Sequence, residues 1–549
     1  MIRARRMAAA AATATLTLTL SVVGATSAQA FSPGHSPWPS HHHSATLTPR
    51  THFTMAADGS SGRREGGEGI PNIDVVKKTI ATYYGDPGTG IAAKDDSPYI
   101  DEMDSIVSRL KQKLPHWLHQ ARHSHKTPAI VLDTDDTMLF TYDMEVGDMH
   151  FDYSPTRQNE WVMQKLFRYP TPGMTDLVQT AQHLGFAIIG ITGRSAAQKQ
   201  ASIDNVTEVG YDGFDATNYY TKWADGHQPS YITCATSSCT TVEFKAGTRR
   251  HLEKDLGYDV VLNVGDQWSD LQGGFADHVQ KLPNPTYYLP SPDLPGVHEP
   301  KLSPRTHFTM AADGSSGLTE GGEGIPNVDV VKDTIATYYG DTGDGIANTH
   351  RSPYISEMHR LLRRQLPAIA AACHRLARHH QNPAIVLDAD DTTLFTYDME
   401  VGDMHFVYDP DEQDVWVQGE DFTATPGMVS ATRMLRRAGC TLIGLTGRND
   451  DQKDATIGNL RAVGYRGFTA EDYYTTWTGE GASQQPSYIT CATATCTTIE
   501  YKSQTRAHIE TRSGGDFHIV ANFGDQFSDL IGGHADRTVK LPNPTYYLP

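Results

Sequence analysis

The chain has 549 residues, of which 38% are apolar, and carries a formal net charge of −19. That length exceeds one ordinary hydrophobic core, and the apolar content excludes general disorder. The acidic balance, with a pI near 5.7, argues against nucleic acid or anionic membrane as a partner, because both require a basic surface.

At the N-terminus, Arg3, Arg5 and Arg6 lead a run of small residues, Leu and Thr that ends in ATSAQA, with Ala28 and Ala30 at a cleavage-site spacing. This predicts a signal peptide over 1–30 and a mature protein that is secreted and holds no membrane segment; the apolar run is short and Thr-diluted for a span. Residues 31–48, with His41 to His43, read as a low-complexity linker. The segment PRTHFTMAADGSSG at Pro49 then recurs at Pro304, and KLPNPTYYLP closes both halves. So long a period means two whole domains in tandem, over 49–290 and 304–549, joined by the Pro-rich linker 291–303.

Inside the first half, Ser97-Pro98 predicts the N-cap and first turn of a helix with Ile100, Met103, Val107, Leu110 and Leu114 on one face. A buried strand follows over Ala129–Leu132. Next come an aromatic-rich irregular segment, a helix through Met174, Leu177, Val178 and Ala181, and a strand over FAIIGITG. A helix over 195–209, the loop CATSSC, a helix around 245–256 and the strand YDVVLNVG complete the half. Helices alternating with continuously apolar strands predict an α/β fold: in each half, a Rossmann-like doubly wound parallel sheet.

Such sheets bind ligands beyond the carboxyl ends of their strands. Three polar clusters fall at those ends: Asp133, Asp135 and Thr137; Thr192, Gly193 and Arg194; and Gly265, Asp266 and Asp270. Lys245 precedes the third strand. Each cluster alone is also compatible with a surface turn, a calcium loop or a helix cap. Together on one edge they point to a hard divalent cation among carboxylates, screening the charge of a phosphate that a carboxylate attacks.

LDTDDT, ITGR, a lysine and GDQWSD resemble the four motifs of the haloacid dehalogenase (HAD) superfamily of phosphohydrolases. NEWV, FKAGTRRHL, GDQWSDLQGG and KLPNPTYYLP are similar to its plant acid phosphatase and vegetative storage protein branch, related to bacterial class B acid phosphatases. The resemblance implies a HAD-type domain with a small cap in each half, and hydrolysis of small phosphomonoesters. It implies Asp133 as nucleophile, Asp135 as general acid and base, and Thr192, Gly193 and Lys245 as phosphate ligands. One magnesium ion per domain would be held by Asp133, Asp135 through its carbonyl, Asp266 and Asp270. The second-half counterparts are Asp388, Asp390, Thr446, Gly447, Lys502, Asp525 and Asp529.

Cys234 with Cys239 and Cys491 with Cys496 predict two local disulfides, as suits an exported chain. Cys373 and Cys440 replace Leu118 and Phe186 of the first half and read equally as thiols or as a bridge. Tyr142, Phe151, Tyr153 and Trp161 of the cap read as its core or as a stacking surface for a leaving group. Glu145 and Asp148 read as acidic neighbours that orient substrate or, more simply, as a solvated cap face. A receiver domain, whose phosphoacceptor ends a later strand than its acidic pair, does not fit this order. A storage or binding protein of the same fold is the alternative to an enzyme.

Overall fold

The computed structural model describes residues 52–55, 62–65, 72–223, 228–289, 307–310, 317–320, 327–477, 484–511 and 516–548. The expected signal peptide and both expected linkers lie outside them. No helix among the described residues is long and apolar enough to cross a membrane.

Each half builds a five-stranded, wholly parallel sheet. In the first, the order is Tyr219–Lys222, Ala187–Ser195, Thr127–Leu132, Tyr258–Gly265 and His278–Lys281. The second repeats it with Tyr473–Thr476, Thr441–Asn449, Asn382–Leu387, Phe517–Gly524 and Thr538–Lys540. The three inner strands are the continuously apolar ones, covered by helices on both faces. The two edge strands are short and only partly buried, which is why their apolar signal is weak.

Local chemistry fixes the helix boundaries. Ser97 caps Pro98–Ala121 through a bond from the Ile100 amide (3.2 Å), with Pro98 at the first turn. Thr240 and Glu243 form a capping box that starts Thr241–Lys254, four residues before Lys245. Between the first two inner strands, the cap comprises a π-helical turn, Asp143–Asp148, and the helix Pro155–Met163. All six cysteines are paired: Cys234–Cys239, Cys491–Cys496 and Cys373–Cys440, with Cα separations of 4.9, 4.7 and 5.4 Å. The last settles the open pairing: it ties the helix Pro353–Arg378 to the residue preceding strand Thr441–Asn449.

The halves are not independent beads. A helix ahead of each, Ile73–Tyr83 and Val328–Tyr339, was not anticipated from the sequence. Its C-terminal end packs on its own half, where the Tyr84 ring lies tilted against those of Tyr99 and Tyr142, with centroids 4.4 Å apart in each pair. Its N-terminal end docks on the other half. The Asn72 side-chain amide donates to the Asn543 and Tyr546 carbonyls (3.2 and 2.5 Å), and Asn327 donates to those of Asn284 and Tyr287 (3.1 and 2.6 Å). Two hairpins meet in the same reciprocal way, Phe53 opposite its own counterpart Phe308. Residue i meeting j while j meets i is the signature of a two-fold relation, here within one chain. One buried apolar cluster runs through both halves.

Candidate active site

Strand Thr127–Leu132 ends at Asp133, whose amide bonds to the Val264 carbonyl of the neighbouring strand (3.1 Å). From Thr241–Lys254, Lys245 reaches across and donates to Asp133 Oδ1 and Asp270 Oδ1, both at 2.5 Å. Asp270 comes this close because Gly265 has no side chain: a Cβ there would lie 2.3 Å from the Asp270 Cβ. In the second half Lys502 binds Asp388 (3.0 Å) and Asp529 (2.5 Å), and Gly524 leaves the same space.

Asp266 is fully buried and accepts from Thr137 (3.2 Å), Gln267 (2.9 Å), Asn284 (2.8 Å) and Tyr287 (3.0 Å). Asp525 is held likewise by Thr392, Gln526, Asn543 and Tyr546. Carboxylate oxygens of Asp133, Asp266 and Asp270 all lie within 4.8 Å of one another, as do those of Asp388, Asp525 and Asp529. Burial raises the Asp133 pKa well above the ordinary range; Lys245 opposes that, and Asp270 and Asp266 add to it. Lys245 itself stays charged, because Asp133 and Asp270 outweigh its desolvation. One lysine against three buried carboxylates leaves uncompensated negative charge in a hard-oxygen cage, the donor set that suits a divalent cation.

Asp135 faces the other way, where Arg194 grips its carboxylate through Nε (3.1 Å) and Nη2 (2.5 Å). Arg448 holds Asp390 with the same geometry. The turn that follows Arg194 is started by a capping box of Ser195 and Gln198. Asp136 stands apart with a left-handed backbone (φ 48°), accepting from the Thr141 amide and hydroxyl and from Asn284. Its role is to close the loop, and burial pushes its pKa up to about 8.

Asp133, Asp135, Thr192, Gly193, Lys245 and Asp270 line one pocket of about 570 Å3, joined by Glu145, Tyr153, Tyr288 and Asp329. Thr192 is buried, and Gly193 beside it is exposed to the pocket. Of the cap aromatics, Tyr142 and Phe151 are core, and the Trp161 indole donates to Asp148 (2.8 Å). Only Tyr153 stays open, 60% exposed. Glu145 and Asp148 are not a solvated face: Glu145 is buried and lines the pocket, and Asp148 binds Arg157 and Trp161. Glu145 sits on the π-helical turn, where it is buried together with Met144 and Val146.

The model of the HAD superfamily, subfamily IIIB (acid phosphatase), matches residues 94–290 and 352–549. The chain belongs to that family. Each matched segment carries its own strand-end aspartates, threonine and lysine: Asp133, Asp135, Thr192, Lys245, Asp266 and Asp270 in one, Asp388, Asp390, Thr446, Lys502, Asp525 and Asp529 in the other. Among individual proteins, the chain is similar to the stem 28 kDa glycoprotein of Glycine max (34% identity, over 25% of this chain and 47% of that one). It is also similar to vegetative storage protein 1 of Arabidopsis thaliana (31%, over 29% and 55%) and to acid phosphatase 1 of Solanum lycopersicum (29%, over 29% and 58%). The chain thus spans about half the length of the curated relatives it matches. Among solved structures, the class C acid phosphatase from Bacillus anthracis matches at 20% identity, over 39% of this chain and 87% of that one, with a TM-score of 0.28.

Residues without a role in the sequence reading are Asn284, Tyr287, Arg249 and Asp329. Arg249 is buried and donates to the carbonyls of Asp270 (2.6 Å), Gln272 and Gly274 (2.9 Å), fixing the loop that carries Asp270. The signal for the first two was present in KLPNPTYYLP, a closing segment repeated without change.

One substitution between the repeats has a measurable consequence. The Thr134 hydroxyl bonds the Tyr219 hydroxyl (2.5 Å); Ala389 stands at the matching position, and the Tyr473 hydroxyl finds no partner among the described residues. Ala389→Thr is expected to supply that bond and stabilise the protein by about 1 kcal/mol. A thermal melt should then show Tm higher by about 2–4 °C; an unchanged or lower Tm would refute the assignment.

Proposed function

We propose that this protein is a secreted, magnesium-dependent acid phosphatase that hydrolyses small phosphomonoesters at two sites per chain. The observation that carries the reading is the convergence, in both repeats, of Asp133 (Asp388), Lys245 (Lys502), Asp266 (Asp525) and Asp270 (Asp529) at one sheet edge. Membership of the acid phosphatase family supports it.

In this reading the Asp133 carboxylate attacks phosphorus, forming an aspartyl-phosphate as the bond to the leaving-group oxygen breaks. Asp135, oriented by Arg194, delivers a proton to that oxygen and then takes one from the water that hydrolyses the acyl phosphate. Lys245, the Thr192 hydroxyl and the Gly193 backbone bind the phosphate oxygens; Gly193 has no Cβ to obstruct their approach. Asp388, Asp390, Lys502, Thr446 and Gly447 do the same in the second repeat. Magnesium, held by Asp133, the Asp135 carbonyl, Asp266 and Asp270, and by Asp388, the Asp390 carbonyl, Asp525 and Asp529, would supply charge neutralisation at the phosphate.

The expected result is hydrolysis of 4-nitrophenyl phosphate that is lost with chelator and restored by magnesium. A second reading, a storage protein of the same fold, draws on the similarity to vegetative storage protein 1. No turnover with magnesium present, at acidic or neutral pH, would favour it and overturn the enzyme.

A further inference from the structure

Glu145, which lines the first-repeat pocket, and its second-repeat counterpart Glu400 are unaccounted for. Glu145 and Glu400 are only 7% and 5% exposed, yet no hydrogen bond or ion pair of either carboxyl is found among the described residues. Glu145 lines the same pocket as Asp133 and Asp135, the space a substrate would enter. Burial, followed by the neighbouring Asp136, Asp135 and Asp329, raises the Glu145 pKa well above the ordinary range; Lys332 opposes this without reversing it, which leaves the neutral acid favoured.

The other repeat holds this group in place. Glu145 sits on the π-helical turn, which is closed by two non-glycine residues in the left-handed region, His150 (φ 50°) and Phe151 (φ 63°). Such residues are strained and need external support. The Phe151 amide donates to the Glu145 carbonyl (2.8 Å), and the Phe151 carbonyl accepts from Lys332 of the second-repeat helix. One turn earlier on that helix, Asp329 pairs with Lys332 (3.2 Å), accepts from the Tyr288 amide (3.0 Å) and lines the pocket. The arrangement is reciprocal. His405 and Phe406 are left-handed too, the Phe406 amide donates to the Glu400 carbonyl (2.7 Å), and Lys77 of the first-repeat helix donates to the Phe406 carbonyl.

We propose that each repeat completes the other's pocket, and that Glu145 and Glu400, clamped in trans by Lys332 and Lys77, recognise a hydroxyl group on the leaving group of the substrate. A neutral carboxyl both donates and accepts, as a hydroxyl does, whereas a purely apolar aryl group leaves it unpaired. The favoured class is therefore polyol or sugar phosphates, small enough for a pocket of about 570 Å3. Glu145 and Glu400 are specificity residues, and Lys332 and Lys77 positioning residues. The inference rests on the phosphomonoesterase reading.

The test uses the full chain with two esters, glycerol 2-phosphate and 4-nitrophenyl phosphate. Glu145→Met/Glu400→Met should raise KM for glycerol 2-phosphate about ten-fold, with KM for 4-nitrophenyl phosphate and both kcat values within about two-fold. Lys77→Met/Lys332→Met should shift the same KM alone, by a smaller factor. Equal losses on both esters, or an unchanged KM for glycerol 2-phosphate, would overturn the proposal. Calorimetry in an Asp133→Asn/Asp388→Asn background provides a readout without turnover: wild-type Glu145 and Glu400 should give the tighter glycerol 2-phosphate binding. Absent turnover in the unmodified chain would defeat the enzyme reading alone. Absent discrimination in the calorimetric arm would defeat this one.

Discussion

Asp133→Asn should leave about half of the phosphatase turnover, and so should Asp388→Asn, while the double variant should lose at least about 10^3-fold in kcat. The reasoning starts from the sheet. Both aspartates end the central strand of their own five-stranded sheet, and each meets its own lysine, at 2.5 Å for Lys245 and 3.0 Å for Lys502. Asparagine keeps the shape and hydrogen-bonding edge but is a poor nucleophile, so the loss reads chemistry rather than folding. The contacts between repeats run through the helices Ile73–Tyr83 and Val328–Tyr339 and through backbone groups, none of which these substitutions alter. Steady-state rates on 4-nitrophenyl phosphate check the prediction. Abolition by either single change would show that only one site works, or that the two act in obligatory alternation.

Lys245→Met should be the most destabilising of the conservative-volume changes at the site. Lys245 is buried and holds two buried carboxylates, so its removal leaves charge without a partner. Breaking such a pair costs on the order of 3–5 kcal/mol. For a domain of this size that corresponds to a fall in Tm of about 10 °C. Magnesium should recover part of the loss, and should raise the Tm of the variant by more than that of the unmodified protein. A cation bound only by the folded state stabilises in proportion to its occupancy, and the variant cage lacks the competing ammonium group. Calorimetric melts with chelator and with millimolar magnesium measure both quantities. A magnesium response no larger in the variant would mean that the three-aspartate cage is not the cation site.

Much of this protein is legible before any coordinates. Val131 and Leu132, Ile189 and Ile191, and Val261 and Val264 are apolar because their strands are buried on both faces, so the inner three strands stand out as continuous runs. The ends of those strands carry the aspartates, and a parallel doubly wound sheet allows only one edge for a site. The edge strands Tyr219–Lys222 and His278–Lys281 are invisible to that signal, since half-buried four-residue segments have too little periodicity to register. The helix Ile73–Tyr83 escapes for another reason. Its apolar face serves two partners, its own repeat at one end and the other repeat at the opposite end.

The site divides in the same way. Sequence spacing alone identified Asp133, Asp135, Thr192, Lys245, Asp266 and Asp270 as one group, because chain-local signals at strand ends converge once the topology is known. The partners of Asp135 and Asp266 lie far along the chain: Arg194 is 59 residues from the first, and Asn284 is 18 from the second. Which polar side chain fills a given lone pair is a matter of distance in space, and no local pattern encodes it. The burial of Glu145 on an irregular turn gave no periodic signal, and the support of that turn by Lys332 comes from 181 positions along the chain. The sequence by itself determined that there are two α/β units with an acidic strand-end cluster in each. Only the tertiary structure decided that the units are joined reciprocally, because the side chains that join them bond to backbone carbonyls, which every sequence has and none advertises.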